Sequence, residues 1–141
     1  MRFLAVDLGD KRTGLAVADE DPMMVHPLVV LEIPIGLLLI DAIKKAVEKH
    51  DAQAIVLGLP LDMDGSIGPR AKLTQEFGEK IKKQTDVQFF YQDERLTSVA
   101  AEEHLSQSGR THKQKKRVRD AIAAAEILSD FLAIRSPETQ G

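Results

Sequence analysis

Residues 3 to 18 read FLAVDLGDKRTGLAVA, and this stretch decides the fold. Two apolar runs flank a polar turn that contains Gly9 and Gly14, a pattern typical of two antiparallel strands joined by a tight turn. Asp7 ends the first run, where a carboxylate is costly to bury unless it is paired or binds a metal. Two interpretations stay open: Asp7 is a ligand at the end of a central strand, or it caps an ordinary hairpin turn.

The rest of the chain predicts alternating helices and strands. We expect a third strand near residues 29–33, further strands over 54–59 and 87–91, and helices over 37–50, from 69 onward, over 97–105 and over 118–132. In the helix that follows Pro69, we expect Leu73, Phe77 and Ile81 to face the core. The sequence therefore predicts an α/β fold with a mixed five-stranded sheet, in which a three-strand antiparallel meander is joined by two parallel strands and covered by flanking helices.

Length and composition restrict the class of protein. The chain has 141 residues, a net charge of −3 and no cysteine, which excludes disulfides and thiolate metal sites. We expect one domain over residues 1–135 and a flexible tail over residues 136–141. No apolar run reaches the length of a membrane span, so the expected location is the cytoplasm, without contact with a membrane. The four histidines are scattered and show no zinc-binding spacing.

Acidic residues occur at three further places where a ligand could bind. Asp93 and Glu94 follow the fifth strand, and Asp120 shares its helical spacing with Ala124 and Ile127. Ligand sites gather at the ends of such strands, so these acids and Asp7 can converge. Carboxylates without thiolates suit Mg²⁺ or Mn²⁺. The alternative is that Asp93 and Glu94 are turn residues and that Asp120 is the N-cap of a helix beginning at residue 121.

A basic cluster precedes Asp120. It consists of Arg110, Lys113, Lys115, Lys116, Arg117 and Arg119. Such a cluster can hold a phosphate backbone even in a slightly acidic protein. The alternative interpretation is that the basic cluster is a solvated helix face or a loop.

Four motifs in order give the chain a resemblance to a known family. They are Val6-Asp7-Leu8-Gly9 with Arg12-Thr13-Gly14, residues 55–65 (IVLGLPLDMDG), Asp93-Glu94-Arg95-Leu96-Thr97-Ser98, and Arg119-Asp120-Ala121. Together they resemble the YqgF family of Holliday-junction-resolvase-like nucleases, from residue 2 to about residue 133. The resemblance implies an RNase H-like fold, cleavage of nucleic acid with a divalent metal, and a role in maturing the precursor of 16S rRNA. Branched DNA is the second substrate that it implies.

The resemblance also implies which residues carry the chemistry. The catalytic and metal-binding acids would be Asp7, one or both of Asp93 and Glu94, and Asp120. The substrate backbone would be held by Lys11, Arg12, Arg95 and the basic cluster, in a monomer or a homodimer. The chain departs from the wider resolvase superfamily in one respect: its fourth strand ends in Gly58-Leu59-Pro60, where an acid is often found.

Two other functions remain open from the sequence. A protein on this fold could bind nucleic acid or assist ribosome assembly without cleaving its substrate, because a fold does not determine turnover. The segment Asp7-Leu8-Gly9 followed by Thr13-Gly14 also resembles the phosphate-binding hairpin of the actin and sugar-kinase superfamily. Those proteins enclose ATP between two domains, whereas this chain has room for one.

Overall fold

The computed structural model describes residues 1–20, 23–94 and 112–135, with the side chains of residues 23, 112–120 and 135 left out of the description. Five strands form one sheet: β1 (Arg2–Asp7), β2 (Thr13–Glu20), β3 (Met23–Leu31), β4 (Ala54–Leu59) and β5 (Gln88–Asp93). The helices of the described residues are α1 (Leu37–Lys49), α2 (Pro69–Gln84) and α3 (His112–Arg135). The helix expected over residues 97–105 and the tail over residues 136–141 lie outside the described residues.

The sheet has the predicted mixed topology. Its strand order is β3-β2-β1-β4-β5. Strands β1, β2 and β3 form the antiparallel meander, while β4 runs parallel to β1 and β5 runs parallel to β4. Because β1, β4 and β5 share one direction, their carboxyl ends meet at one edge of the sheet, called the carboxyl edge below.

Helices cover both faces of the sheet. Leu4, Val6, Ile55 and Leu57 pack with α1 and α2 on one face. The opposite face buries small and aromatic residues of the strands, including Phe3, Ala5 and Val56, against α3. This alternation within β1 and β4 is the two-residue period of a strand, and here both faces are apolar because both are covered. Asp7 therefore shares the α3 face with Phe3 and Ala5.

Two sequence expectations differ from the observed elements. Strand β3 begins at Met23, well before the expected region, and it includes Pro27. A proline is compatible with this strand because β3 lies at the edge of the sheet and its pairing with β2 shifts register between Leu15 and Ala16.

In α2, Leu73 is 37% exposed, so its expected core position is wrong. Thr74 is buried instead, and it can be, because its hydroxyl donates to the Arg70 carbonyl at 3.0 Å.

Contacts with α2 hold the edge strand β5 in place. The Tyr91 hydroxyl donates to Glu79 Oε2 at 3.2 Å, and burial together with this carboxylate raises the pKa of Tyr91 to about 12. Gly78 makes room for the ring, because a Cβ at that position would collide with the Tyr91 hydroxyl. The Lys82 ammonium lies 5.3 Å from the ring centres of both Phe89 and Tyr91. These contacts position the end of β5, where the candidate site begins.

Candidate functional site at the carboxyl edge

The pairing of the parallel strands brings acidic residues from distant parts of the chain together. Val6 pairs with Leu57 and Gly58 pairs with Gln92, so Asp7, Gly58 and Gln92 follow one another across the carboxyl edge. Glu94 comes directly after β5, and its backbone N–H donates to the Leu59 carbonyl at 3.2 Å. This bond extends the hydrogen-bond pairing of β4 and β5 by one residue beyond the strand and fixes the orientation of the Glu94 backbone.

Asp7 and Glu94 form a carboxyl pair. Their side chains are hydrogen-bonded to each other, and both residues are half-buried. Burial, followed by the negative charge of Asp7, raises the pKa of Glu94 to about 9. At neutral pH the pair therefore holds one proton, which lies in the hydrogen bond between Glu94 and Asp7. A divalent cation would remove the need for that proton by neutralising both carboxylates.

Gly58 provides the space for this pair. A Cβ at residue 58 would lie 2.5 Å from Glu94 Oε2 and 2.5 Å from Ile127 Cδ1. Real Cβ atoms do not approach other atoms so closely, so either the carboxylate or the helix would have to move. The end of β4, which carries no acid, thus leaves room for an acid delivered from β5.

The structure separates Asp93 from Glu94. Asp93 continues the alternation of Phe89 and Tyr91, which pack on the α1 and α2 face. Glu94 follows the alternation of Phe90, which packs against α3. Of the two acids, Glu94 is the one hydrogen-bonded to Asp7, while the charge of Asp93 also contributes to raising the pKa of Glu94.

Asp120 belongs to the body of α3. The helix begins at His112, so the alternative that made Asp120 an N-cap after a basic loop is wrong. Ala124 and Ile127 are fully buried against the sheet, and Asp120 precedes them at the spacing of one helix face. The Asp120 side chain itself lies outside the described residues, so its expected place beside Asp7 stays a prediction.

The N-terminal half of α3 continues past the carboxyl edge. Ile127 reaches the position of Gly58 at this edge, while Phe131 packs against Phe3 near the other end of β1, with ring centres 5.4 Å apart. At about 1.5 Å per residue, the helix before Asp120 lies more than about 10 Å beyond Ile127 along the axis. The basic cluster from Lys113 to Arg119 is therefore helical and projects from the edge that holds the acids.

The other expected basic residues are described only in part. Lys11 is exposed and Arg12 is half-buried in the turn between β1 and β2, at the carboxyl edge. Gly9 is required in this turn because a Cβ there would collide with the Arg12 carbonyl oxygen. Arg95 and Arg110 lie outside the described residues, as do the side chains of Lys113, Lys115, Lys116, Arg117 and Arg119.

Sequence reasoning missed Arg70, which lies in the first turn of α2. Its Nη2 donates to the Leu8 carbonyl at 3.0 Å, and its Nη1 pairs with Asp10 Oδ1 at 2.5 Å. Its positive charge opposes the rise in the Glu94 pKa, so it acts on the carboxyl pair. The sequence did contain a signal: α2 begins directly after the loop that follows β4, and such a helix must start at the carboxyl edge.

The loop between β4 and α2 is closed by its own hydrogen bonds. Asp64 Oδ1 accepts from the Ser66 hydroxyl at 2.6 Å and from the Ser66 N–H at 2.9 Å. The Ser66 hydroxyl also lies 3.1 Å from Asp62 Oδ2, and Gly65 supplies a positive φ of 89° for the turn. The loop thus borders the carboxyl edge as an ordered turn.

Comparison with known proteins identifies the family. A family model described as RuvX, Holliday junction resolvase, matches residues 1–134. The chain belongs to the RuvX family. Relatives from Roseiflexus sp. and Carboxydothermus hydrogenoformans are 36% and 35% identical, over 93% and 96% of this chain and 93% and 99% of their own lengths. Both are named "Putative pre-16S rRNA nuclease", and the family resemblance seen in the sequence is confirmed.

Solved structures of resolvases share the fold. Thermus thermophilus RuvC, solved with a Holliday junction substrate, matches with a TM-score of 0.59 at 12% identity, covering 97% of each chain. The fowlpox virus Holliday junction resolvase matches with a TM-score of 0.59 at 10% identity, covering 96% of this chain and 99% of its own. At these identities the likeness concerns the fold alone, and it confirms the RNase H-like architecture of this RuvX family member.

The carboxyl pair has the chemistry of a divalent-metal site. Asp7 and Glu94 present hard oxygen ligands side by side, and in the metal-free protein they share a proton because two bare carboxylates repel each other. Within the described ranges, no group of three or more acidic or histidine side chains could hold a metal ion. The pair would supply two of the ligands, and the Asp120 carboxylate is the expected third.

In the part of the chain that the structure describes, no helix is long and apolar enough to span a membrane.

Proposed function

We propose that this protein is a nuclease that hydrolyses phosphodiester bonds with Mg²⁺ or Mn²⁺, and that its substrate is the precursor of 16S rRNA in the cytoplasm. The hydrogen-bonded pair of Asp7 and Glu94 at the carboxyl edge carries this proposal. Membership of the RuvX family and the names of the relatives support it. Branched DNA is the second candidate substrate, because the family description names a Holliday junction resolvase.

The residues divide the work between metal binding and substrate binding. Asp7, Glu94 and Asp120 would hold a divalent metal, and such an ion would supply the activation of water and the stabilisation of charge on the leaving oxygen. The carboxyl pair would give up its proton to accept a metal, so metal binding should release a proton that a titration can detect. Asp93, at the end of β5, would not bind the metal directly, and its negative charge would act on the carboxyl pair from outside.

Phosphate binding is assigned to the basic residues around the edge. Lys11 and Arg12 lie in the turn that follows Asp7, and the N-terminal half of α3 projects past the acids. Arg95 and Arg110 complete the proposed set. Contacts of this kind position a substrate backbone without reading its sequence. This arrangement suits a backbone that crosses the carboxyl edge and continues along α3.

The first test replaces Asp7 with Asn. We expect Mg²⁺-dependent cleavage of a precursor RNA to fall by about 10³-fold or more, because the metal loses one of its ligands. Asp86→Asn, which changes an exposed acid between α2 and β5, is the matched control and should leave cleavage unchanged. Full cleavage by the Asp7→Asn variant would refute the catalytic assignment. Binding without cleavage by the wild-type protein would instead support a non-catalytic assembly protein.

A further inference from the structure

Arg70 has two partners of different kinds. Its Nη2 donates to the backbone carbonyl of Leu8 at 3.0 Å, in a part-buried position directly after β1. Its Nη1 pairs at 2.5 Å with Asp10, whose side chain is 77% exposed. The first partner belongs to the backbone and is fixed by the fold. The second is an exposed, hydrated carboxylate that another anion can replace.

The guanidinium of Arg70 lies at the carboxyl edge and is accessible to solvent. Arg70 is in the first turn of α2, at the carboxyl edge, and its side chain remains 38% exposed. Its Nη2 is bonded to the carbonyl of Leu8, the residue that directly follows Asp7 of the carboxyl pair. The N-terminus of α2 already lies beside an acid, because Asp62 Oδ1 is 2.8 Å from the position that a Cβ of Gly68 would take. The positive charge that favours an anion beside Arg70 is therefore that of the guanidinium itself.

We propose that Arg70 is a substrate-binding residue that holds a phosphate of the nucleic acid beside the carboxyl pair, and that Asp10 occupies this phosphate position in the free protein. The inference rests on the proposed function, because it assumes that the substrate is a polynucleotide with a phosphodiester backbone. It adds a residue that the family resemblance did not imply, and it assigns Asp10 the role of a competitor.

The energies favour such an exchange. An exposed ion pair contributes only about 0–1 kcal/mol, so the loss of Asp10 as a partner costs little. A phosphate oxygen can accept from Nη1 as the Asp10 carboxylate does, while Nη2 stays bonded to the Leu8 carbonyl. The bond to the Leu8 carbonyl keeps the planar group oriented during the exchange, which reduces the entropy lost when phosphate binds.

The first arm of the test measures binding without cleavage. Fluorescein-labelled single-stranded RNA is titrated with protein in EDTA, and anisotropy gives the affinity at several salt concentrations. Arg70→Ala should weaken binding about tenfold or more, and the slope of log affinity against log salt should fall by about 0.7. The affinity of Arg70→Lys should lie between those of the wild type and Arg70→Ala, because an ammonium keeps the positive charge but lacks the several N–H donors of the guanidinium. Lys72→Ala removes an exposed charge from the same turn and should change affinity less than about twofold.

The second arm concerns Asp10. Asp10→Asn should tighten RNA binding about two- to fivefold, because the competitor is gone. In an Arg70→Ala background the same change should have no effect, since Asp10 acts through Arg70. Asp41→Asn, an exposed acid in α1, controls for the general effect of removing a negative charge. The same series on branched DNA shows which nucleic acid depends more on Arg70.

Three outcomes would overturn the inference. Unchanged binding by both Arg70 variants removes the phosphate contact, and a gain by Asp10→Asn that persists in the Arg70→Ala background reduces Asp10 to a surface charge. Weaker binding by Asp10→Asn would make the pair a structural clamp. If the Arg70→Ala variant does not fold, the RNA affinities of Arg70→Lys and Asp10→Asn still test the inference. If the wild-type protein binds RNA through Arg70 but does not cleave it, the proposed nuclease function is refuted, while the role of Arg70 in phosphate binding still holds.

Discussion

Single residues determine which acid reaches the candidate centre. Asp93 and Glu94 are neighbours of the same chemical type, and the sequence alone does not distinguish them. Their separation follows from the alternation of β5, which directs Glu94 to the face where Asp7 lies. Gly58 completes the arrangement, because only a residue without a side chain leaves space for the Glu94 carboxylate.

We expect the two acids to differ when they are neutralised. Glu94→Gln should reduce metal-dependent cleavage by about 10³-fold, because Glu94 is hydrogen-bonded to Asp7 and is proposed as the second metal ligand. Asp93→Asn should retain most of the activity. Calorimetric titration with Mn²⁺ on both variants checks the ligand assignment, and equal losses of Mn²⁺ affinity would contradict the division between the two residues.

Gly58→Ala tests the space at the end of β4. The added Cβ would meet Glu94 Oε2 at 2.5 Å, so the carboxylate must shift by a fraction of an ångström or more. Misplacement on that scale costs up to about 10²-fold in rate, and we expect a loss of this order in cleavage. Gly36→Ala is the matched control, since nothing lies within 4 Å of a Cβ there. Normal turnover by Gly58→Ala would show that the pair tolerates displacement.

Helix α3 connects the core to the proposed substrate path. Its C-terminal half buries Ile127, Leu128 and Phe131 against the sheet, whereas its N-terminal half carries the basic cluster past the carboxyl edge. The sequence predicted the buried half from its apolar spacing. The projecting half has no apolar stripe, so the pattern left open whether it was helix or loop.

Replacing Lys113, Lys115, Lys116 and Arg117 with Ala tests the projecting half of α3. Substrate binding should weaken, and the magnitude of the salt slope should fall by about 0.7 to 0.9 for each phosphate that the variant no longer binds. Metal affinity and sequence preference should stay nearly constant, because backbone contacts do not read bases. The double variant Lys80→Ala and Lys83→Ala removes exposed charges from the C-terminal half of α2, at the opposite end of the sheet, and should leave the slope unchanged. An unchanged slope in the α3 variant would make the cluster a solvated helix face.

The whole molecule should show the effect of the carboxyl pair in its pH-dependent stability. The pKa of Glu94 is raised in the folded protein, so the fold favours its protonated form. This contribution is fully present below the ordinary pKa of a glutamate and is lost as pH rises towards about 9. We therefore expect the metal-free protein to lose stability across this range, and Glu94→Gln to reduce the loss.

Thermal unfolding in EDTA and in MgCl₂ across this range measures the effect. Mg²⁺ should raise the melting temperature more at alkaline than at mildly acidic pH, because the metal competes with the proton for the pair. The same protection in Glu94→Gln as in the wild type would argue that the metal binds elsewhere.

The sequence by itself determined the layout of the chain. Apolar runs and helical spacing predicted the meander, the two parallel strands and the buried half of α3, because these features are local and repeat with the period of one element. The motifs also predicted the family, which the comparison confirmed.

Only the tertiary structure decided which side chains meet. The pairing of Asp7 with Glu94, the space at Gly58 and the bonds of Arg70 to Leu8 and Asp10 join residues that lie far apart in the chain. The burial of Thr74 in place of Leu73 likewise depended on a hydrogen bond within α2. These features follow from strand register and helix orientation, which place one residue opposite another in space and leave no periodic signal in the sequence.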